Sequence, residues 1–140
     1  MRYLLDTNIC IYFLNENANI VEKIGRLSNS EMAISIITLA ELQFGAHNSS
    51  HVSRNLERIA FLTSTIAVLP LTSEITDRYA QIKALLRKIG QPVDDFDILI
   101  GATAIANSIT LVTNNTQHFE RMDGIVLENW MESSSLTDRR

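Results

Sequence analysis

The feature that most restricts this chain is the run Tyr3-Leu4-Leu5 with Asp6 directly behind it. Apolar residues at consecutive positions, without alternation, read as a strand covered on both faces, as at the centre of a parallel sheet. Asp6 ends the run. Thr7 and Asn8 then lead into Ile9, Ile11, Tyr12, Phe13 and Leu14, so strand passes straight into helix. A carboxylate at the carboxyl end of a central strand stands where open α/β sheets bind ligands. The rest of the chain must supply neighbours for that strand and, if Asp6 is functional, partners for its charge.

Alternating strand and helix signals follow. Ile20, Val21, Ile24 and Leu27 recur at helical spacing across 17–28, ending near Ser28-Asn29-Ser30. Residues 32–36 read as a short strand, and Thr38 opens a helix through Leu39, Leu42 and Phe44 with Gly45 near its end. A polar patch at 47–53 precedes a helix carrying Leu56, Ile59, Ala60 and Leu62. Residues 66–69 are a third strand, stopped by Pro70. Residues 72–89 form a long amphipathic helix closed by Gly90 and followed by Pro92. Asp94 starts a helix that is apolar nearly all round, from Phe96 to Ala106, and must be largely buried. A fourth strand at 110–113, a helical turn at 116–121 and a fifth strand at 125–127 complete the pattern. It predicts an α/β fold with one domain over 1–131: a mainly parallel twisted sheet of four to five strands flanked by helices. Trp130 is expected to pack against the end of that sheet. The polar tail at 132–140 is expected to be mobile.

At 140 residues, 46% hydrophobic and 20% charged, the chain has material for one core and not for two. Its apolar runs stop well short of a membrane span and the N-terminus lacks a signal-type pattern, so the expected location is cytoplasmic with no membrane partner. The single Cys10 agrees with a reducing compartment and, among apolar neighbours, reads as a buried structural thiol. A formal charge of −4 argues against a broad nucleic-acid-coating surface. It leaves room for a nuclease, whose metal site needs local carboxylates and whose substrate needs only a few placed cations.

Three acids occupy equivalent places in three strand-to-helix connections: Asp6 after the first strand, Glu41 shortly after the second, and Asp97 in the first turn of the apolar helix. Each has an ordinary explanation. Thr38 to Glu41 has capping-box spacing, Asp94 to Asp97 repeats it, and Asp6 can itself cap a helix. Together they point elsewhere, because connections leaving a parallel sheet at its carboxyl edge open on the same side and let the three carboxylates meet. Like charges gathered there raise one another's pKa unless a cation is present. Oxygen ligands without accompanying Cys or His pairs favour Mg²⁺, or Mn²⁺ as a substitute, over Zn²⁺. Thr113, Asn114 and Asn115 add a hydroxyl and amides at the same edge, and Asp94 is a candidate for a further contact.

The ordered set Leu4-Leu5-Asp6-Thr7-Asn8, Ala40-Glu41-Leu42 with Gly45, the stretch from Asp94 to Ala104, and Leu111-Val112-Thr113-Asn114-Asn115 with His118-Phe119 resembles the PIN-domain ribonucleases of the VapC toxin type. The resemblance implies a single PIN-like domain with Mg²⁺-dependent endoribonuclease activity on RNA and homodimerisation. It also implies inhibition by a small VapB-type antitoxin within a type II toxin–antitoxin pair, with DNA contacted only indirectly through that antitoxin. By matching position it carries the catalytic and metal-binding roles onto Asp6, Glu41 and Asp97. Where many PIN domains have a fourth acid this chain has Asn115, so a single firmly held Mg²⁺ is the expectation.

For phosphodiester hydrolysis, Asp6 and Asp97 are assigned as metal ligands and Glu41 as the group that holds a water and helps to deprotonate it. Thr7, Asn8, Thr113, Asn115 and Asp94 support them. Lys83, on the helix leading to Asp94, is the candidate RNA phosphate contact; Arg54, Arg58, Arg87 and Lys88 read as solvated helix faces. His47, His51 and His118 are scattered and read as structural or solvent-facing. Two other classes compete. A phosphorylatable receiver-like switch domain wants an acceptor Asp after a middle strand and a Lys after a late one. Here the third strand runs Val68-Leu69-Pro70-Leu71, and Thr113 is followed by Asn114 and Asn115. A non-catalytic PIN-like RNA-binding module would not need all three acids.

Overall fold

Tyr3, Leu4 and Leu5 are all buried and form β1 (Tyr3–Leu5). In the computed structural model, which describes residues 1–131, β1 is the middle strand of a five-stranded sheet. The others are β2 (Met32–Ser35), β3 (Ala67–Leu69), β4 (Thr110–Val112) and β5 (Leu127–Glu128), in the order β3-β2-β1-β4-β5 with every neighbouring pair parallel. Alternation along the strands divides the core in two. Tyr3, Leu5, Met32, Ile34 and Val112 face one side, and Leu4, Ala33 and Leu111 the other.

Helices α1 (Thr7–Leu14), α2 (Ala18–Gly25), α3 (Ile36–His47) and α4 (Val52–Thr65) cover the first side with Ile9, Ile20, Leu42 and Ile59. Helices α5 (Ser73–Lys88), α6 (Asp95–Ala106) and α7 (Thr116–Phe119) cover the second with Ile75, Leu86, Ile98, Ile100 and Phe119. The chain steps outward from β1 to β2 to β3, then α5 and α6 carry it back past β1 to β4. The winding therefore reverses between β1 and β4, and a crevice opens at their carboxyl ends.

As its composition predicts, α6 is buried at Ile98 and from Ile100 through Ala104, with Phe96 left 46% exposed at its start. Gly101 matters for what packs beside it: a Cβ there would stand 2.5 Å from Met122 Sδ and 3.4 Å from Phe119. The missing side chain lets α7 lie close against α6. Trp130 meets the first residue of β1 edge-on, ring centroids 5.1 Å from Tyr3, and Cys10 is buried.

Several boundaries differ from the sequence reading. The expected helix at 17–28 is α2 followed by a separate 3-10 turn, Asn29–Glu31. The expected strand at 32–36 stops at Ser35, whose hydroxyl accepts from the Thr38 N–H at 3.0 Å and caps α3; Ile36 already belongs to the helix. The turn expected at 116–121 is helical over Thr116–Phe119, and Thr113 lies just beyond β4. The fifth strand lies at Leu127–Glu128 rather than 125–127. The Ile125 N–H bonds to Met122 O behind Gly124 (φ +87°), so the chain is still turning there. No helix among the described residues is long and apolar enough to cross a membrane. The tail expected at 132–140 lies outside the described residues.

Candidate active site

Parallel pairing of β1 with β4 brings Asp6 beside Thr113, one residue past each strand. Asp6 is 4% exposed. Its Oδ1 accepts the Thr7 N–H at 2.6 Å, at the start of α1, and its Oδ2 accepts the Thr113 hydroxyl at 2.7 Å. Thr113 Oγ1 in turn accepts the Asn115 N–H at 3.0 Å, which orients the hydroxyl toward Asp6. Burial pushes the Asp6 carboxyl above its ordinary range. The bonds from Thr113 and Thr7 oppose that rise, and the charges of Asp97 and Glu41 add to it.

Glu41 is free of the role its spacing suggested. Because Ser35 caps α3, Glu41 lies in the helix's second turn, beyond reach of the cap, and the expected Thr38–Glu41 capping box is not formed. Its Oε1 accepts the Thr7 hydroxyl at 2.6 Å, and Thr7 Oγ1 lies 3.1 Å from Thr38 Oγ1. Thr7 thus serves Asp6 through its backbone and Glu41 through its side chain.

Asp97 is likewise turned away from the helix end. Asp94 caps α6 alone, accepting the Phe96 N–H at 3.1 Å, while Asp97 Oδ2 lies 3.0 Å from His118 Nδ1 on α7. His118, read from the sequence as structural or solvent-facing, is largely exposed, and the sequence reading did not find its contact with Asp97. The available signal was its neighbour: Phe119 is wholly buried, which turns His118 along the surface of α6 toward Asp97. Asn8 is half-buried beside Thr7, and Asn115 enters the network through its backbone, its side chain making no cap on α7. Asn114 donates to the Tyr12 hydroxyl at 3.4 Å and leaves its own Oδ1 buried without a partner.

Lys83 is engaged as well. Its ammonium lies 2.8 Å from Asp95, which also accepts the Tyr79 hydroxyl at 2.9 Å. The bond to Asp95 raises the Lys83 pKa, and the same bond lowers that of Asp95.

The three carboxylates gather around the crevice without closing on one point. Among the described residues, no three Asp, Glu, His or Cys groups form a cluster able to hold a metal ion directly. The donor set nonetheless fits a hydrated Mg²⁺ or Mn²⁺: it is all oxygen, and the charges reaching the buried Asp6 are both negative. Mg²⁺ keeps several waters and needs only one or two carboxylates.

Two hollows flank the acids. On the Asp97 side a polar cleft of ≈ 630 Å³ opens between the 91–94 connection and α7, with His118 and Arg121 in its wall. On the Glu41 side a groove of ≈ 230 Å³ runs between α1, α3 and α4, lined by Ile11, Leu14, Leu42, Ala46 and Ile59.

Known proteins share this arrangement of elements. The PIN domain family model matches residues 3–125. Ribonuclease VapC2 of Rickettsia felis is 36% identical over 134 residues, covering 93% of this chain and 98% of that protein. The tRNA(fMet)-specific endonuclease VapC of Shigella flexneri is 38% identical over 130 residues, again covering 93% and 98%. The crystal structure of DNA-bound VapBC from Salmonella typhimurium matches with a TM-score of 0.87 at 37% identity, over 93% of this chain and 98% of that one.

Proposed function

Because the chain belongs to the VapC branch of the PIN-domain family, we propose that its gathered carboxylates make it a metal-dependent endoribonuclease, the toxin of a type II toxin–antitoxin pair. The observation that carries the reading is Asp6: a buried carboxylate at the reversal point of a parallel sheet, approached by two further acids. Such a charge is costly to bury unless a cation joins it.

Asp6, Asp97 and Glu41 are the residues that would hold Mg²⁺, with Mn²⁺ as substitute. When bound, such an ion supplies Lewis-acid polarisation of the phosphodiester and lowers the pKa of a water. The protein's own groups do the rest. Thr113 and Thr7 favour the ionised form of Asp6 and fix its two oxygens. The Thr7 hydroxyl holds Glu41 by one oxygen and leaves the other to orient an attacking water and accept its proton. Asn8 and Asn115 border the same crevice and support it, with Asp94 setting the start of α6. Lys83 reaches an RNA phosphate by exchanging Asp95 for it.

A VapB-type antitoxin is the protein partner, as in the VapBC complexes of Salmonella typhimurium and Rickettsia felis. We place its inhibitory segment in the apolar groove that ends at Glu41, where an occupant covers one edge of the acid site. Any DNA contact of the assembly belongs to that partner. We also propose that the toxin pairs with a second copy of itself, which sedimentation of the purified protein tests.

The relative from Shigella flexneri is named a tRNA(fMet)-specific endonuclease, which makes transfer RNA the first substrate to try. The deciding experiment is cleavage of transfer RNA and total cellular RNA by the purified protein with Mg²⁺, with chelator, and with Asp97→Asn. Discrete fragments requiring both the ion and Asp97 support the reading. Fragments that persist in chelator, or in the folded Asp97→Asn protein, overturn it.

A further inference from the structure

Among the described residues, His118 is the one imidazole in direct contact with the acid site, through ring Nδ1 to Asp97 Oδ2 at 3.0 Å. We infer that His118 is a positioning residue for Asp97: its Nδ1–H holds Oδ2 and leaves Oδ1 as the oxygen offered to a divalent cation. The inference rests on the metal-dependent reading above and specifies how one of its ligands is aimed.

The contact is a hydrogen bond from ring to carboxylate in the tautomer that carries its proton on Nδ1. Asp97 lies three residues after the α6 cap, a position from which an acid can turn back to the cap's own N–H. That seat is the local competitor for its side chain, and Asp97 does not take it. Its carboxyl is partly open to solvent (24%), so packing alone does not hold it.

The donor that wins is delivered by tertiary structure. Gly101 has no side chain to keep α7 away, Phe119 is buried against α6, and His118 is thereby set beside the first turn of α6. Ligating carboxylates are commonly held by such hydrogen bonds, and removing the partner costs 10–100-fold in metal affinity or activity. The imidazole also remains 55% exposed in the wall of the polar cleft, so contact with substrate is the role that must be told apart from positioning.

The test is Mn²⁺ binding measured by electron paramagnetic resonance without RNA, on the parent protein, His118→Ala, His118→Asn and Asp97→Asn, each checked for folding by circular dichroism. The Asn amide stands where ring Nδ1 stood. Expected results are binding by the parent, roughly 10–100-fold weaker binding by His118→Ala, and recovery in His118→Asn. Excess Mn²⁺ should restore most of the RNA cleavage that His118→Ala loses. Parent-like Mn²⁺ binding by His118→Ala overturns the inference, and does so equally if cleavage falls, because the ring would then be acting on RNA. No Mn²⁺ binding by the parent protein overturns the metal reading itself, and the inference with it.

Discussion

The Thr113 hydroxyl donates to Asp6 Oδ2 over 2.7 Å, joining residues 107 positions apart across the crevice between β1 and β4. The bond satisfies a buried oxygen and opposes the rise that burial imposes on the Asp6 pKa. Thr113→Val keeps the side-chain shape and removes the donor. It should lower stability in urea by about 1–3 kcal/mol and weaken Mg²⁺ binding, since Asp6 becomes harder to ionise. Parent-like values in both measurements would show that Asp6 does not depend on the contact.

Capping and chemistry are separable at α3. Ser35 holds the Thr38 N–H and Glu41 holds the Thr7 hydroxyl. Ser35→Ala should cost about 1 kcal/mol of stability with the RNA-cleavage rate per folded molecule retained. Glu41→Gln should do the reverse: near-parent thermal unfolding with cleavage down by at least about 100-fold. An exchange of those two outcomes would return Glu41 to a structural role.

Asp97→Asn tests the third acid. Asp94 alone caps α6, so the variant should unfold at close to the parent temperature while RNA cleavage disappears. Failure to fold would mean that the first turn of α6 needs the Asp97 charge.

Asp6 also makes a pH prediction. Its folded pKa lies above the ordinary 3.8, so at intermediate pH the folded state binds more protons than the unfolded. The contribution to stability is therefore fully present below the unfolded value and is lost as pH rises through the folded one. In chelator, the melting temperature of Asp6→Asn relative to the parent should increase from acid toward neutral pH, and Mg²⁺ should narrow that gap at neutral pH by stabilising only the parent. Comparing the two proteins cancels Glu31 and Asp95, whose lowered pKa values act in the opposite sense. A pH-independent difference would contradict a raised Asp6.

Cys10 offers a check on the core. Burial pushes its thiol far up, and its side chain lies on the buried face of α1. A thiol reagent at mildly alkaline pH should label the native protein only at its unfolding rate and the denatured protein at once. Rapid labelling of the native protein would show that α1 opens locally.

Much of this is legible in the sequence. The unbroken Tyr3-Leu4-Leu5 run marked the central strand, and the all-round apolar α6 marked a helix with little solvent face. Asp6 and Glu41 were legible because they follow β1 and β2 in a chain whose strands are parallel; Asp97 does not occupy the strand-to-helix connection expected of it, since α6 follows α5, and the packing of α6 brings it to the same edge. The start of α3 was misread because Ser35 and Thr38 are both good caps, three residues apart, and the β2 ladder ends at Ser35. The bounds of β5, expected at 125–127, differ because apolar content does not reveal that the Ile125 N–H is already bonded to Met122.

By itself, then, the sequence determined the order of the elements, the strand at the centre, and the three carboxylates Asp6, Glu41 and Asp97 as candidates for one site. Periodicity and composition act within a few residues and need no partner elsewhere. Tertiary structure alone decided what each acid does with its oxygens. Asp97 meets His118 at a separation of 21 residues, Glu41 meets Thr7 at 34, and Asp6 meets Thr113 at 107. It also decided that Lys83 rests on Asp95. Local spacing offers each of these groups a nearby cap or open solvent. Only the packing of α1 on α3, α5 on α6, α6 on α7, and β1 beside β4 brings up the partner that wins.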